Sequence, residues 1–524
     1  MSPHPSRLRL LATAATVSLL LAACGGGGSD GDGRGGAEGE PVAGGSLAMI
    51  APGEPRGLDP AVMQNAWSAN AAVGAALYGA LLETDITTGE VTPSLAESWE
   101  TTDHGKTFTL TLREGTTFSD GTPFDAAAVK FNWDRLKDPA VAPLHATVAN
   151  MIATNEVIDA TTLEVTMVSP IPQFAQGIAT SGLTWIASPK ALEAGTDAFN
   201  TDPVGAGPFT LVDWTPNDVM ELEKNDKYFE GPDKPYLDEL TIRTITDTNQ
   251  RYNTLASGGA DVIVESNRVT QAKLEDEGKV VERGEFSGGN YLRFNTLKPP
   301  FDDVRARQAV AAAFDYDQAN QAMSQGKAQQ LHTLFSEKSP FYSAKELDGY
   351  DPERAQELFD ELAAEGKPVE FTFTGWGSFE TTTLGENLIT QLSQYDNVSV
   401  EMQDAQMADI GRVLATGDFQ VVVHGVPFSG DPDPLLWVAW HSDSVSNAAL
   451  SDPIIDKALD EGRLATTVED RKAAYDRLQD QLIASRPMVF TEVPVPSLIS
   501  NTNVGGLSLC CWGAPRVADL WITD

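Results

Sequence analysis

The sequence predicts an α/β protein built from more than one lobe. Three observations carry that expectation. The chain has 524 residues, more than a single hydrophobic core organises. Strand-like and helix-like segments alternate along most of its length, which is the pattern of α/β layers with parallel or mixed sheets. Hydrophobic residues are 41% and charged residues 21% of the chain, a balance that supports packed cores and argues against general disorder.

Taken in order, the chain opens with Arg7 and Arg9 ahead of an apolar run at 10–21, too short to span a bilayer. Leu21-Ala22-Ala23-Cys24 follows and resembles a bacterial lipobox, which makes 1–23 a signal peptide and Cys24 a lipidated cysteine. Residues 24–45 are Gly-rich and polar, a flexible tether. The run of four glycines lacks the Lys-Ser/Thr ending of a phosphate loop. Residues 46–50 read as a strand and 66–82 as an Ala-rich helix. At 107–112 Phe108, Leu110 and Leu112 alternate with three threonines, a half-buried strand. Asp125 then caps a helix with Val129, Trp133 and Leu136 on one face.

Further strands are expected at 163–168, 220–224, 240–245, 291–295, 369–374 and 421–423. Helices are expected at 248–258, 303–325 and 468–485, the last with Leu478 and Leu482 on one side. Asp351-Pro352-Glu353 supplies an N-cap, a first-turn proline and a first-turn acid. Ala355, Leu358, Phe359 and Leu362 follow at helical spacing, and Gly366 ends the helix.

A formal net charge of −39 argues against nucleic acid or an anionic membrane surface as partner, since both need a positive footprint. The three cysteines are Cys24, Cys510 and Cys511. None has metal-finger spacing. Adjacent cysteines bridge only with strain, so Cys510 and Cys511 read as thiols, with a vicinal disulfide as the alternative.

The stretch 419–440, FQVVVHGVPFSGDPDPLLWVAW, carries the candidate site. A buried strand there feeds a loop dense in Gly, Pro and Asp, followed by Trp437 and Trp440. Ligand sites of open α/β proteins lie at such strand ends. The alternative is a turn and a core helix. Gly375-Trp376-Gly377 ends the strand at 369–374 in the same way. His424 and His441 flank the loop, but no Cys or close His spacing makes them a metal pair. The chain holds no GxSxG nucleophile elbow.

Residues 93–138, PSLAESWETTDHGKTFTLTLREGTTFSDGTPFDAAAVKFNWDRLKD, closely resemble the signature block of the family 5 extracellular solute-binding proteins, the peptide- and nickel-type receptors of ABC importers. The resemblance continues at 203–214, 225–240, 291–316 and 351–362. It covers essentially everything after the tether. It implies the type II periplasmic-binding-protein-like fold: two α/β lobes joined by a hinge, with a smaller domain inserted in the first. The first lobe maps to 45–80, 200–288 and 486–524, the insertion to 81–199 and the second lobe to 289–485. The chain crosses between lobes near 288–291 and 486–487.

The resemblance further implies a non-enzymatic receptor on the outer face of the bacterial cell membrane. It would capture a small solute, foremost an oligopeptide or peptide-like molecule, and present it to an ABC permease as a lipid-anchored monomer. An oligosaccharide, an opine-like conjugate and a chelated metal stay open as ligands. A surface enzyme and a sensor lipoprotein stay open as other roles on the same fold. No cofactor is implied. Peptide-binding members carry a tryptophan and an amine-binding aspartate in the loop equivalent to 425–433. Here Val426 replaces the tryptophan, and the aspartate position falls on Phe428 or Ser429. The expected ligand-contacting residues are Trp376, Val426, Phe428, Ser429, Asp431 and Trp437. Asp431 either takes over the amine or the ligand presents none there, because an unpaired ammonium in a dry cleft costs several kcal/mol.

Overall fold

The computed structural model describes residues 37, 39–86, 88–347, 349–377, 379–406 and 409–523. The expected signal peptide, Cys24 and the tether up to residue 36 lie outside the described residues. Among the described residues, no helix is long and apolar enough to cross a membrane.

A seven-stranded sheet builds the first lobe. From edge to edge it runs Val280–Arg283, Ser497–Ser500, Val262–Glu265, Ser46–Ala51, Glu239–Thr244, Val219–Lys224 and Phe209–Thr215. Ser46–Ala51 pairs in parallel with both of its neighbours, and the outer pairings are antiparallel. Every residue of Val262–Glu265 is buried, as a central strand covered on both faces must be. A five-stranded sheet builds the second lobe, in the order Val398–Asp404, Val369–Gly375, Val421–Gly425, Asn290–Phe294 and Met488–Phe490. Phe294, Leu358, Phe359, Phe371 and Leu388 pack one core against it.

Between Ser46–Ala51 and Phe209–Thr215 the chain leaves the first lobe and forms a four-stranded antiparallel sheet. Its order is Ala96–Glu100, Thr107–Leu112, Thr162–Met167 and Ile152–Val157. Thr107–Leu112 alternates buried and half-buried residues throughout, as its sequence dictates. Phe108, Leu110 and Leu112 meet Val129, Trp133 and Phe174 in a separate core. The expected architecture is therefore present: two α/β lobes and a smaller insertion.

Most local expectations hold, and two helices need correction. The helix expected over 66–82 is only Ala71–Tyr78, and Gly79 at φ +66° ends it. The Leu82–Thr84 strand takes the rest. The helix expected over 303–325 is two, Val304–Ala313 and Tyr316–Ser324. Asp315 interrupts it, its carboxylate accepting the Gln318 N–H as the cap of the second piece, a local bond that competes with helix continuation. Met488–Phe490 pairs with Asn290–Phe294, so sheet membership carries the second lobe past residues 486–487.

Candidate functional site

The chain passes between the two large sheets twice. The first passage, 284–289, links Val280–Arg283 to Asn290–Phe294. The second, 491–496, links Met488–Phe490 to Ser497–Ser500. The two are tied together: Gly284 N–H donates to Pro496 O at 2.8 Å and Thr491 N–H to Asn290 O at 2.9 Å. Gly288 sits at φ +65°, and a Cβ there would lie 2.2 Å from Val426 O. Left-handed backbone and close approach both demand glycine.

A cleft of about 480 Å³ opens beside these passages. The first lobe lines it with Asp247 and with Glu265 to Arg268, where two strands end; the second contributes Met323, Ser324 and Glu380, and the second passage contributes Glu492. Ligand sites of α/β folds lie at such carboxyl ends. The carboxylates are not equivalent. Glu265 is fully occupied: Arg251 donates to it through Nε at 2.9 Å and through Nη2, and the Ser266 and Asn267 N–H groups donate at 2.9 and 2.8 Å. Glu492 accepts one long bond, 3.4 Å from Asn290 Nδ2. Burial pushes its carboxyl above the usual range, and the charge of Glu380 adds to that. Arg268 faces the same space, donating to Gln271 Oε1 at 2.7 Å.

The 419–440 stretch folds as a strand, Val421–Gly425, a loop, and a helix, Leu435–Trp440. The loop is clasped from several sides. Val426 N–H donates to Gly289 O at 3.0 Å, and Phe428 exchanges backbone bonds of 2.9 and 2.8 Å with Ser287. Phe428 is fully buried, edge-on to Phe335. Ser429 Oγ–H donates to Cys511 O at 2.9 Å, and Ser429 O accepts from Gln176 Nε2 at 2.8 Å. Trp512 Nε1–H donates to Pro427 O at 3.1 Å. A Cβ on Gly89 would lie 1.9 Å from Gly430 Cα. Second-lobe loop, insertion and first lobe thus meet here in a closed arrangement, leaving a cavity of about 30 Å³ beside Phe428, Ser429 and Gly430.

Asp431 and Asp433 are held by structural partners. Arg471 grips both oxygens of Asp431, Nη2 donating to Oδ1 at 2.7 Å. Arg463 Nε donates to Asp433 Oδ1 at 2.8 Å, deep in the lobe, and burial pushes the Asp433 carboxyl up. Trp376 is 8% exposed. Its Nε1–H donates to Val423 O at 3.0 Å and its ring packs with Val413, Phe419 and Val422. Trp437 stacks on His441 with centroids 4.4 Å apart, under the Arg463 guanidinium, and donates to Asp460 Oδ1 at 3.0 Å. The fold therefore brings Val426, Phe428 and Ser429 to the junction of the lobes, while Trp376 and Trp437 lie within second-lobe packing.

His424 belongs to a buried relay. Trp440 Nε1–H donates to Tyr291 Oη at 3.0 Å, and Tyr291 Oη in turn shares a hydrogen bond of 2.9 Å with His424 Nδ1. Burial pushes the His424 pKa down to about 3, which keeps the ring neutral. Among the described residues, no three His, Cys, Asp or Glu side chains are grouped to hold a metal ion. Sequence reading missed Glu492, Glu380 and Arg268. A signal existed for the first: Glu492 interrupts an apolar run, VFTEVPV, where a charged residue needs a reason.

Two α/β lobes on a double passage, with a cleft at their strand ends, define the class of clamp-like binding folds. The chain belongs to the bacterial extracellular solute-binding proteins, family 5, whose middle region matches residues 90–447. The glutathione-binding protein GsiB of Escherichia coli K12 is 32% identical over 323 residues, 61% of this chain and 62% of that protein. The alignment thus spans less than two thirds of that relative. GsiB of Pectobacterium atrosepticum is 28% identical over 411 residues, 76% of this chain and 79% of that protein. Among solved structures, the binding protein AgaA of A. tumefaciens R10 in complex with agropinic acid superposes with a TM-score of 0.78 at 24% identity. It covers 92% of this chain and 99% of its own. DppA of Helicobacter pylori in complex with the peptide STSA gives 0.79 at 22%, with the same coverage. These likenesses establish the fold.

Proposed function

We propose that this protein is the extracytoplasmic receptor of an ABC importer and captures a small peptide-like solute between its lobes. The observation that carries the reading is the cleft: two lobes face it, and only two short passages connect them. Such a geometry favours closure by any ligand that touches both walls. A signal peptide at 1–23, a lipid on Cys24 and a tether would hold a monomeric receptor at the outer membrane face, near the permease. In this reading the first lobe, the insertion and the second lobe take the spans expected from the sequence, except that the second crossing moves from 486–487 to 491–496, because Met488–Phe490 pairs with Asn290–Phe294. No catalysis is part of this reading.

The cleft chemistry narrows the ligand. Asp431 and Asp433 are neutralised by Arg471 and Arg463, so the loop at 425–433 offers no free carboxylate to an amine. Glu492 and Glu380 offer a negative wall elsewhere, and Arg268 a positive group. A zwitterionic ligand fits: its ammonium against Glu492, its carboxylate against Arg268. Val426, Phe428 and Ser429 would wall the far end once the lobes part. The relatives bind glutathione, peptides and agropinic acid by name, all of them amine- or carboxylate-bearing.

The test is to purify the protein natively, denature it, and identify what is released by mass spectrometry. Small peptides or amino-acid conjugates support the reading. A neutral oligosaccharide, or turnover of added peptides with no stable complex, overturns it.

A further inference from the structure

Cys510 and Cys511 sit in a setting that the ligand cleft does not use. Strands Leu509–Cys510 and Ala514–Pro515 pair across the intervening residues 511–513. Successive strand residues point to opposite faces, so neighbouring sulfurs normally diverge. Here Cys511 lies at φ +58° and Gly513 at φ +76°. The left-handed turn breaks the alternation and brings the two sulfurs to 3.0 Å. A non-glycine residue in that region costs of order 1 kcal/mol, and the surroundings hold it there: Cys511 N–H donates to Thr84 O at 3.0 Å, and Cys511 O accepts from Ser429 Oγ. Both thiols are free. Both line a cavity of about 70 Å³, together with Glu83, Tyr228 and Arg516. That volume admits water-sized molecules and excludes peptides.

We propose that Cys510 and Cys511 form a reversible redox site, oxidised to a vicinal disulfide by hydrogen peroxide or another water-sized peroxide. One sulfur, as thiolate, attacks a peroxide oxygen. The O–O bond breaks, and hydroxide leaves and takes up a proton to become water. The sulfenic acid so formed is attacked by the neighbouring sulfur; its S–O bond breaks, the S–S bond forms, and a second water leaves. Two thiols and one peroxide give one disulfide and two waters, with two electrons passing from sulfur to oxygen. The sulfurs must close by about 1 Å to bond, and Cα atoms of adjacent residues lie nearer than in an ordinary disulfide. The bond is therefore strained and readily reduced.

The site also touches closure, a consequence that rests on the clamp reading above. Ring formation changes the torsions at Cys511, whose carbonyl, just outside the ring, is where Ser429 of the second lobe attaches. Oxidation then loosens the junction of the lobes.

The test uses the full-length protein and needs no ligand. It is treated with hydrogen peroxide, denatured, alkylated and digested, and the peptide holding both sulfurs is weighed. The expected result is a loss of two mass units with no alkylation, reversed by dithiothreitol. Cys511→Ala should stop at a sulfenic acid that dimedone traps, whereas the parent protein takes up no dimedone. Full alkylation of both cysteines after treatment, or direct conversion to sulfinic acid, overturns the proposal. Amide exchange at 425–434 should quicken in the oxidised form; unchanged exchange there overturns the coupling to closure.

Discussion

At the scale of single residues, charge burial decides most of what surrounds the site. Asp433 and Arg463 are each about 5% exposed or less at the side chain, so neither tolerates loss of the other. Arg463→Leu should destabilise the protein by about 3–5 kcal/mol, read from the shift of a denaturant midpoint. Glu492 is the contrary case, a half-buried carboxylate with one long protein bond. Glu492→Gln should leave stability nearly unchanged and weaken capture of an amine-bearing ligand tenfold or more, by calorimetric titration. Two half-buried histidines give a pH signature. His424 is pushed down to about 3 and His145 to about 4, both by burial. Unfolded, each takes up a proton below about 6.5. Between pH 6.5 and 4 the unfolded chain therefore binds more protons, and stability falls as pH falls, by roughly 1.4 kcal/mol per pH unit for each histidine. His424→Gln should show a shallower acid slope than its parent. Little of this was legible in sequence. Asp431 and Arg471 are 40 residues apart, and no local pattern announces which aspartate a distant arginine will claim.

At the scale of elements, legibility followed locality. Val468–Ser485 and Thr107–Leu112 match their sequence readings at both ends, because periodicity and caps are local. Asp125 and Asp351 cap where expected, accepting from Ala128 and Arg354 N–H. The helix broken at Asp315 shows the limit: its apolar residues run on in helical spacing while one carboxylate starts a new helix. The loop after Val421–Gly425 is legible as a break dense in Gly, Pro and Asp, yet its clasping by Gln176, Cys511 and Trp512 comes from three distant segments. The passage at 284–289 invites a test. Gly288→Ala forces a side chain into left-handed backbone and against Val426 O. It should lower the melting temperature by several degrees and disturb ligand closure, whereas Gly366→Ala, with φ +76° and open space around it, should cost about 1 kcal/mol and leave binding untouched.

At the scale of the molecule, the junction predicts a measurable change of shape. Gln176→Ala and Ser429→Ala remove two cross-junction bonds, and together they should raise the radius of gyration of the ligand-free protein in small-angle scattering. Added ligand should contract it again. The order of strands in the first sheet carries a further consequence. Ser497–Ser500 lies between Val280–Arg283 and Val262–Glu265, antiparallel to both. The second lobe's strands, by contrast, come from one continuous run of chain, 290–490. A chain emerging from its N-terminus can finish the second lobe while the first still waits for a strand, a gap of more than 200 residues in sequence. Nascent protein must then carry an open sheet edge until Ser497–Ser500 is delivered, and such an edge is where chains pair wrongly with one another. Chains that stop before residue 497 should accordingly aggregate or be degraded even though their whole ligand-facing second lobe has been made.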